Sequence, residues 1–188
     1  NFIDAARGAA DAKGARLIIK TGIPESSACY DAAVDLVDQG CDVIFADSFG
    51  HETYILQAAE EFPDVQFSHA TGTHAHTEGL DNFHNAFASI YEGRYLAGVV
   101  AGYELNEMIE SGKISANQAK IGYVGAYPYA EVVSGYTSFY LGAKSVCPSV
   151  TMEVRYTSSW YDETAEKTTA QALINNGCFL ISQHADSS

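Results

Sequence analysis

Basic side chains are scarce in this sequence. Ten lysines and arginines stand against 24 aspartates and glutamates, a formal net charge of −14 over 188 residues. A surface of that sign repels phosphate backbones and anionic lipid, which excludes nucleic acid and membrane surfaces as natural partners. Long apolar runs are also missing. The longest uncharged one, Tyr95-Leu-Ala-Gly-Val-Val-Ala-Gly-Tyr103, falls far short of the roughly 20 residues a bilayer-spanning helix needs. The four cysteines, Cys29, Cys41, Cys147 and Cys178, show no C-x-x-C spacing, which argues against a structural zinc site or a thioredoxin-like motif. Cys41 and Cys178 each open a predicted strand after a glycine and read as small buried hydrophobes, with disulfide pairing as the alternative. There is no G-x-S-x-G elbow and no G-x-x-x-x-G-K-[ST] loop, so the familiar nucleophile and phosphate signatures are absent. A signal peptide is lacking too. Since the sequence opens directly in a helical pattern, that absence reads as trimming and says little about location.

What is present is an alternation of helix and strand. Hydrophobic residues make up 47% of the chain, enough for one good core, or for one lobe and part of a second. Spacing predicts a helix over residues 1–13, a strand over 16–20, and a helix from Pro24 to Gly40 with Ser26 or Ser27 as N-cap. A buried strand over 42–46, a helix over 52–61 and a strand over 65–69 follow. From Ala70 to Asn85 the pattern changes, and Thr71–Gly79 carries turn composition and no apolar period. A long helix is predicted from Ala86 to Glu110, with Gly93, Ala97, Gly98, Ala101 and Gly102 leaving room for a close neighbour. After a polar connector over 111–120 the scheme repeats: strand 121–125, helix 130–146, strand 151–156, helix 162–175, strand 178–182. There is a faint internal echo between Asp35-Leu-Val-Asp-Gln-Gly-Cys-Asp-Val-Ile-Phe45 and Ala172-Leu-Ile-Asn-Asn-Gly-Cys-Phe-Leu-Ile181. It points to two similar α/β lobes, over residues 1–112 and 113–188, with a single doubly wound domain as the rival.

Three aromatic residues, Phe49, Tyr127 and Trp160, fall at or just past predicted strand ends. In open α/β proteins the ligand crevice lies beyond the carboxyl ends of the strands. Flat faces placed there suit a flat ligand, so a binding protein for an aromatic small molecule is preferred to an enzyme. Gly50 beside Ser48 and Phe49 permits close backbone approach ahead of a helix N-terminus; an ordinary turn with Phe49 as a core plug competes. Tyr127 reads either as a stacking face or as a buried turn tyrosine. Trp160 offers another face, and Asp162 has the type and position of an N-cap. His184 and Asp186, after the last strand, are candidates for polar contacts or for capping a following helix. Thr71 and Gly72 offer hydroxyl and backbone contacts, and Asn85 is an N-cap or a base-reading amide. His69, His74 and His76 have the residue type of metal ligands. No acidic partner has suitable spacing, so a solvated loop is preferred and no metal or cofactor is expected.

The segments QGCDVIFADSFG, FPDVQFSHATG, IYEGRYLAGVVAG, IGYVGAYPYAEVVSGYTSFYLGAKSV, SSWYDETAEKTTAQALINNG and ISQHADSS, in this order, resemble the BMP (basic membrane protein) family. Its members are extracytoplasmic substrate-binding lipoproteins of ABC importers and include purine nucleoside receptors. The resemblance covers nearly the whole chain. It implies a type I periplasmic-binding-protein fold of two doubly wound parallel-sheet lobes, here a fragment without the first strand and the C-terminal part. It implies capture of a purine nucleoside or nucleobase in an interlobe cleft by hinge closure, without covalent chemistry. It places the Ser48–Gly50 loop on the cleft, an aromatic face at Tyr127 and a ligand-bonding carboxylate at Asp162. ABC-transporter permease subunits would be the protein partner. The membrane would be reached only through a lipid anchor outside the fragment. A ligand-sensing domain of a signalling protein, a nucleoside-processing enzyme using Asp162 or Asp186, and a sugar-responsive regulator are the rivals.

Overall fold

The computed structural model describes residues 2–187. The chain divides into two compact units, one ending at Ala88 and the other beginning at Ser89. The division falls upstream of the boundary expected at 112/113.

In the first unit, α1 (Phe2–Lys13) precedes an irregular segment, α2 (Ala28–Asp38), β1 (Val43–Ala46), α3 (Glu52–Glu61), β2 (Gln66–Ala70) and β3 (Phe83–Ala86). The three strands form a parallel sheet in the order β1-β2-β3. Ile44, Phe67 and Phe83 pack with Cys29 and Ala33 of α2 and Ile55, Ala58 and Ala59 of α3. Strand β1, expected to be buried throughout, alternates instead. Ile44 is 3% exposed, whereas Val43 is 67% and Phe45 41% exposed, so helices cover one face of this sheet at β1. Phe2 of α1 meets Phe45 at 4.9 Å, yet α1 buries no residue.

Two expectations for this unit need correction. Residues 16–20 form no strand. A short apolar run supplies surface to bury but not a partner, and a strand forms only where a ladder can satisfy its backbone. Side chains hold this segment instead: Arg16 donates to the Gln39 carbonyl at 2.7 Å and Lys20 pairs with Asp35. Conversely, Phe83–Ala86 pairs with β2 although no strand is expected there; Phe83 alone is buried in it.

The second unit runs α4 (Ile90–Glu110), β4 (Lys120–Gly125), α5 (Ala130–Val146), β5 (Thr151–Tyr156), α6 (Glu163–Asn175) and β6 (Leu180–His184). Its parallel sheet has the order β5-β4-β6. The central strand is β4, with Ile121, Tyr123 and Val124 at most 2% exposed. Helix α4 belongs here because it docks on α5 along a seam of glycines. A Cβ on Gly98 would lie 2.0 Å from the Phe139 carbonyl oxygen, and one on Gly142 2.1 Å from that of Tyr95. Gly93 stands off the seam.

The sequence echo is a shared helix stop. Gly40 (φ +77°) and Gly177 (φ +82°) adopt the left-handed conformation. Cys41 N–H bonds the Leu36 carbonyl and Cys178 N–H the Leu173 carbonyl, each at 3.1 Å. Gly40 and Gly177 N–H bond Val37 and Ile174. These are Schellman motifs, which turn each helix into the following strand. All four cysteines are free thiols; Cys29, Cys147 and Cys178 are buried and Cys41 is half-buried.

Candidate functional site

The candidate residues form one group in each unit, at the carboxyl ends of the strands. In the second unit three loops converge. They are tied at their roots: Ala126 N–H bonds the His184 carbonyl (3.0 Å), Ser158 N–H that of Ala126 (2.9 Å), and Asp186 N–H that of Trp160 (2.7 Å). These bonds bring the rings together. Tyr127 and Tyr129 stack at 5.0 Å with planes 19° apart. Trp160 meets Tyr127 edge-on at 5.7 Å and Tyr129 at 6.2 Å, and its other neighbour is the His184 ring at 6.5 Å. Tyr127, Tyr129 and Trp160 are half-buried and belong to none of the core clusters among the described residues.

His184 is 9% exposed, with Nε2 3.5 Å from a Glu131 oxygen. Its Nδ1 and the Trp160 indole N–H are buried without hydrogen-bond partners. Gly135 leaves room for the imidazole, since a Cβ there would lie 2.8 Å from Nδ1. Asp162 is the N-cap of α6: its Oδ1 accepts from Ala165 N–H at 2.8 Å, as the capping alternative expects. Asp186 is exposed beside the cluster. A groove of about 360 Å³ lies to one side, between Glu163, Glu166, Lys167 and Ala170 of α6 and Ile181 and Gln183 of β6.

In the first unit Ser48, Gly50 and Asn85 are engaged by residues outside the candidate set. Glu25 Oε1 accepts from Ser48 Oγ (2.6 Å) and from Gly50 N–H (2.8 Å). A Cβ on Gly50 would lie 2.6 Å from the Glu25 carboxyl carbon. Phe49 is half-buried in a 3₁₀ turn before α3. His69 is fully buried, and burial pushes its pKa below the ordinary value. Its Nε2–H donates to the Ser48 carbonyl at 2.7 Å. Thr71 takes a positive φ of 65°, and its hydroxyl is buried without a partner. Asn85 lies in β3 and is no N-cap. Its Oδ1 accepts from Ala75 N–H (2.8 Å) and its Nδ2 donates to Glu52 (3.1 Å). Among the described residues no group of three His, Cys, Asp or Glu could hold a metal ion.

Glu25, Glu52, Tyr129 and Glu131 escaped the sequence reading. Tyr129 had a signal, being two residues past Tyr127 in the same loop. The glutamates had none, because acidic residues beside helix starts read as solvated dipole partners.

Among the described residues no helix is long and apolar enough to cross a membrane. Residues 2–188 match the family described as Bmp, ABC transporter substrate-binding protein PnrA-like. The purine-binding protein of Brucella abortus (strain 2308) is 40% identical over 148 residues, 79% of this chain and 38% of that protein. A Haloferax volcanii protein, provisionally named a glucose-binding protein of an ABC transporter, is 38% identical over 146 residues, 78% of this chain and 34% of that protein. An ABC transporter solute-binding protein of Aeropyrum pernix K1 superposes with a TM-score of 0.79 at 21% identity, over 96% of this chain and 48% of that one. That likeness shows the fold: α/β, with two parallel-sheet lobes as in type I periplasmic-binding proteins. The chain belongs to the Bmp family of PnrA-like ABC-transporter substrate-binding proteins, which are extracytoplasmic and non-catalytic.

Proposed function

We propose that the protein captures a purine nucleoside or nucleobase and delivers it to the permease of an ABC importer. The observation that carries this reading is the cluster of Tyr127, Tyr129 and Trp160, with ring centroids 5.0–6.2 Å apart at the carboxyl ends of β4 and β5. Large flat faces in a partly water-excluded setting suit a planar heterocycle, and each base–aromatic stack contributes about 1–3 kcal/mol. The buried indole N–H of Trp160 and Nδ1 of His184 have unused hydrogen-bonding capacity that the heteroatoms of a purine match. Asp162 and Asp186 flank the rings as carboxylate acceptors for purine N–H or ribose hydroxyls. Ser48, Phe49, Gly50, Thr71, Gly72 and Asn85 form the group of contacts on the first unit.

A sugar is the second reading, favoured by the name of the Haloferax relative, because a pyranose also lies flat on an aromatic ring. Isothermal titration of the protein with adenine, hypoxanthine, adenosine, inosine and glucose separates the two. Saturable binding of at least one purine supports the proposal. Binding of glucose alone refutes it.

A further inference from the structure

Resting on the reading that the strand ends of the first unit contact ligand, we propose that Glu52 is the positioning residue of that group. Its buried carboxylate clamps the loop that carries Thr71 and Gly72, and Asn85 works in the same clamp.

Glu52 lies in the first turn of α3 and is 7% exposed. A carboxylate is seldom buried unless its oxygens are bonded. Among the described residues no basic side chain pairs with this one. The partners are N–H groups of the loop and of β3. His74 N–H donates to Oε1 at 2.8 Å, and Asn85 Nδ2–H donates to the same oxygen at 3.1 Å. Asn85 extends the clamp by accepting from Ala75 N–H at 2.8 Å. Two successive loop amides are thereby pinned to α3 and β3.

The loop closes down onto the carboxylate. A Cβ on Gly72 would lie 2.1 Å from Glu52 Oε1 and 2.4 Å from His69 Nδ1, so no larger residue fits without displacing both. Thr71, next to it, keeps its positive φ of 65°. A non-glycine residue holds such a conformation only where its surroundings over-determine it. The bond from Thr71 N–H to the Ala86 carbonyl (3.0 Å) fixes one side of this residue, and the clamp fixes the other. The product is a preset Thr71 whose buried hydroxyl has no partner in the protein.

The test compares wild type, Glu52→Ala, Glu52→Gln and Asn85→Ala in two readouts. One is amide hydrogen exchange of His74 and Ala75. The other is affinity for adenine and for glucose. Because both donors converge on one oxygen, a glutamine carbonyl can receive both. Glu52→Gln therefore stays within about threefold of wild type in both readouts. Glu52→Ala raises exchange at His74 and weakens affinity, each by about tenfold or more. Asn85→Ala exposes the Ala75 amide and leaves His74 protected, which keeps the test decisive should Glu52→Ala fold poorly. Unchanged exchange at His74 in Glu52→Ala overturns the clamp. Raised exchange with unchanged affinity overturns the positioning role. If wild type binds no purine, the purine reading falls, while exchange and glucose affinity still decide the role of Glu52.

Discussion

Truncating Trp160 to alanine probes the aromatic cluster most sharply. The indole has Tyr127 edge-on at 5.7 Å and Tyr129 at 6.2 Å. Aromatic pairs at such separations contribute about 0.5–1.5 kcal/mol each beyond area burial. Losing two therefore lowers unfolding stability by about 1–3 kcal/mol. The effect on binding is separate. One stacking face contributes about 1–3 kcal/mol, which is roughly 5- to 150-fold in Kd at about 1.4 kcal/mol per tenfold. Trp160→Phe retains a flat face and loses the N–H, so it falls between wild type and alanine. Calorimetric titration with adenine gives the affinities, and urea unfolding followed by circular dichroism gives the stabilities. If Trp160→Ala binds adenine within twofold of wild type while remaining folded, the ring is no part of the binding surface and the reasoning fails.

The helix seam gives a second expectation. Gly98→Ala drives a methyl to 2.0 Å from the Phe139 carbonyl oxygen and lowers stability by at least about 1–3 kcal/mol. Gly93→Ala, whose Cβ meets nothing nearer than Ile90 Cδ1 at 4.0 Å, is neutral or stabilising by up to about 1 kcal/mol in the same urea titration. Gly177→Ala has open space around it but a φ of +82°, so it lowers stability by about 1–2 kcal/mol through backbone strain alone. Hydrogen bonds from Lys120, Asn176 and Arg155 pull the Glu153 carboxyl down from 4.5 to about 2. A depressed folded-state pKa contributes stability that is full above the unfolded value and lost as pH falls through the folded one. The urea midpoint of wild type should therefore exceed that of Glu153→Gln at pH 7, with the gap closing between about pH 4.5 and 2. A gap that persists unchanged to pH 2 contradicts the assignment.

The alternation of helix and strand was legible because α2, α3, α5 and α6 carry their apolar residues at helical spacing and end in glycine or proline signals. What periodicity cannot supply is a partner. Residues 16–20 have the short apolar run of a strand (Leu17, Ile18, Ile19) and no ladder among the described residues, while Phe83–Ala86 has neither apolar alternation nor β-branched residues and is a strand because β2 offers an edge. The units divide at Ala88/Ser89 for a related reason. Gly98 and Gly102 announce a close neighbour, but only the packing identifies it as α5. At the site, the strand-end rule pointed to Tyr127, Trp160 and His184, and the Trp160 ring neighbours the other two. It also led to Ser48, Gly50 and Asn85, whose hydrogen bonds turn out to be occupied by Glu25, Glu52 and Ala75. Glu52 is buried and Glu25 half-buried by segments that meet only in the folded unit, and no local pattern marks them.

Trp160 is the single tryptophan of the chain, so its emission reports directly on the proposed stacking surface. Titrating the protein with adenosine while following that emission is the most direct measurement. A saturable quench by adenosine, absent with glucose, is the expected result. Emission that ignores adenosine, adenine and hypoxanthine while glucose produces a saturable change would contradict the assignment of a planar purine to these rings.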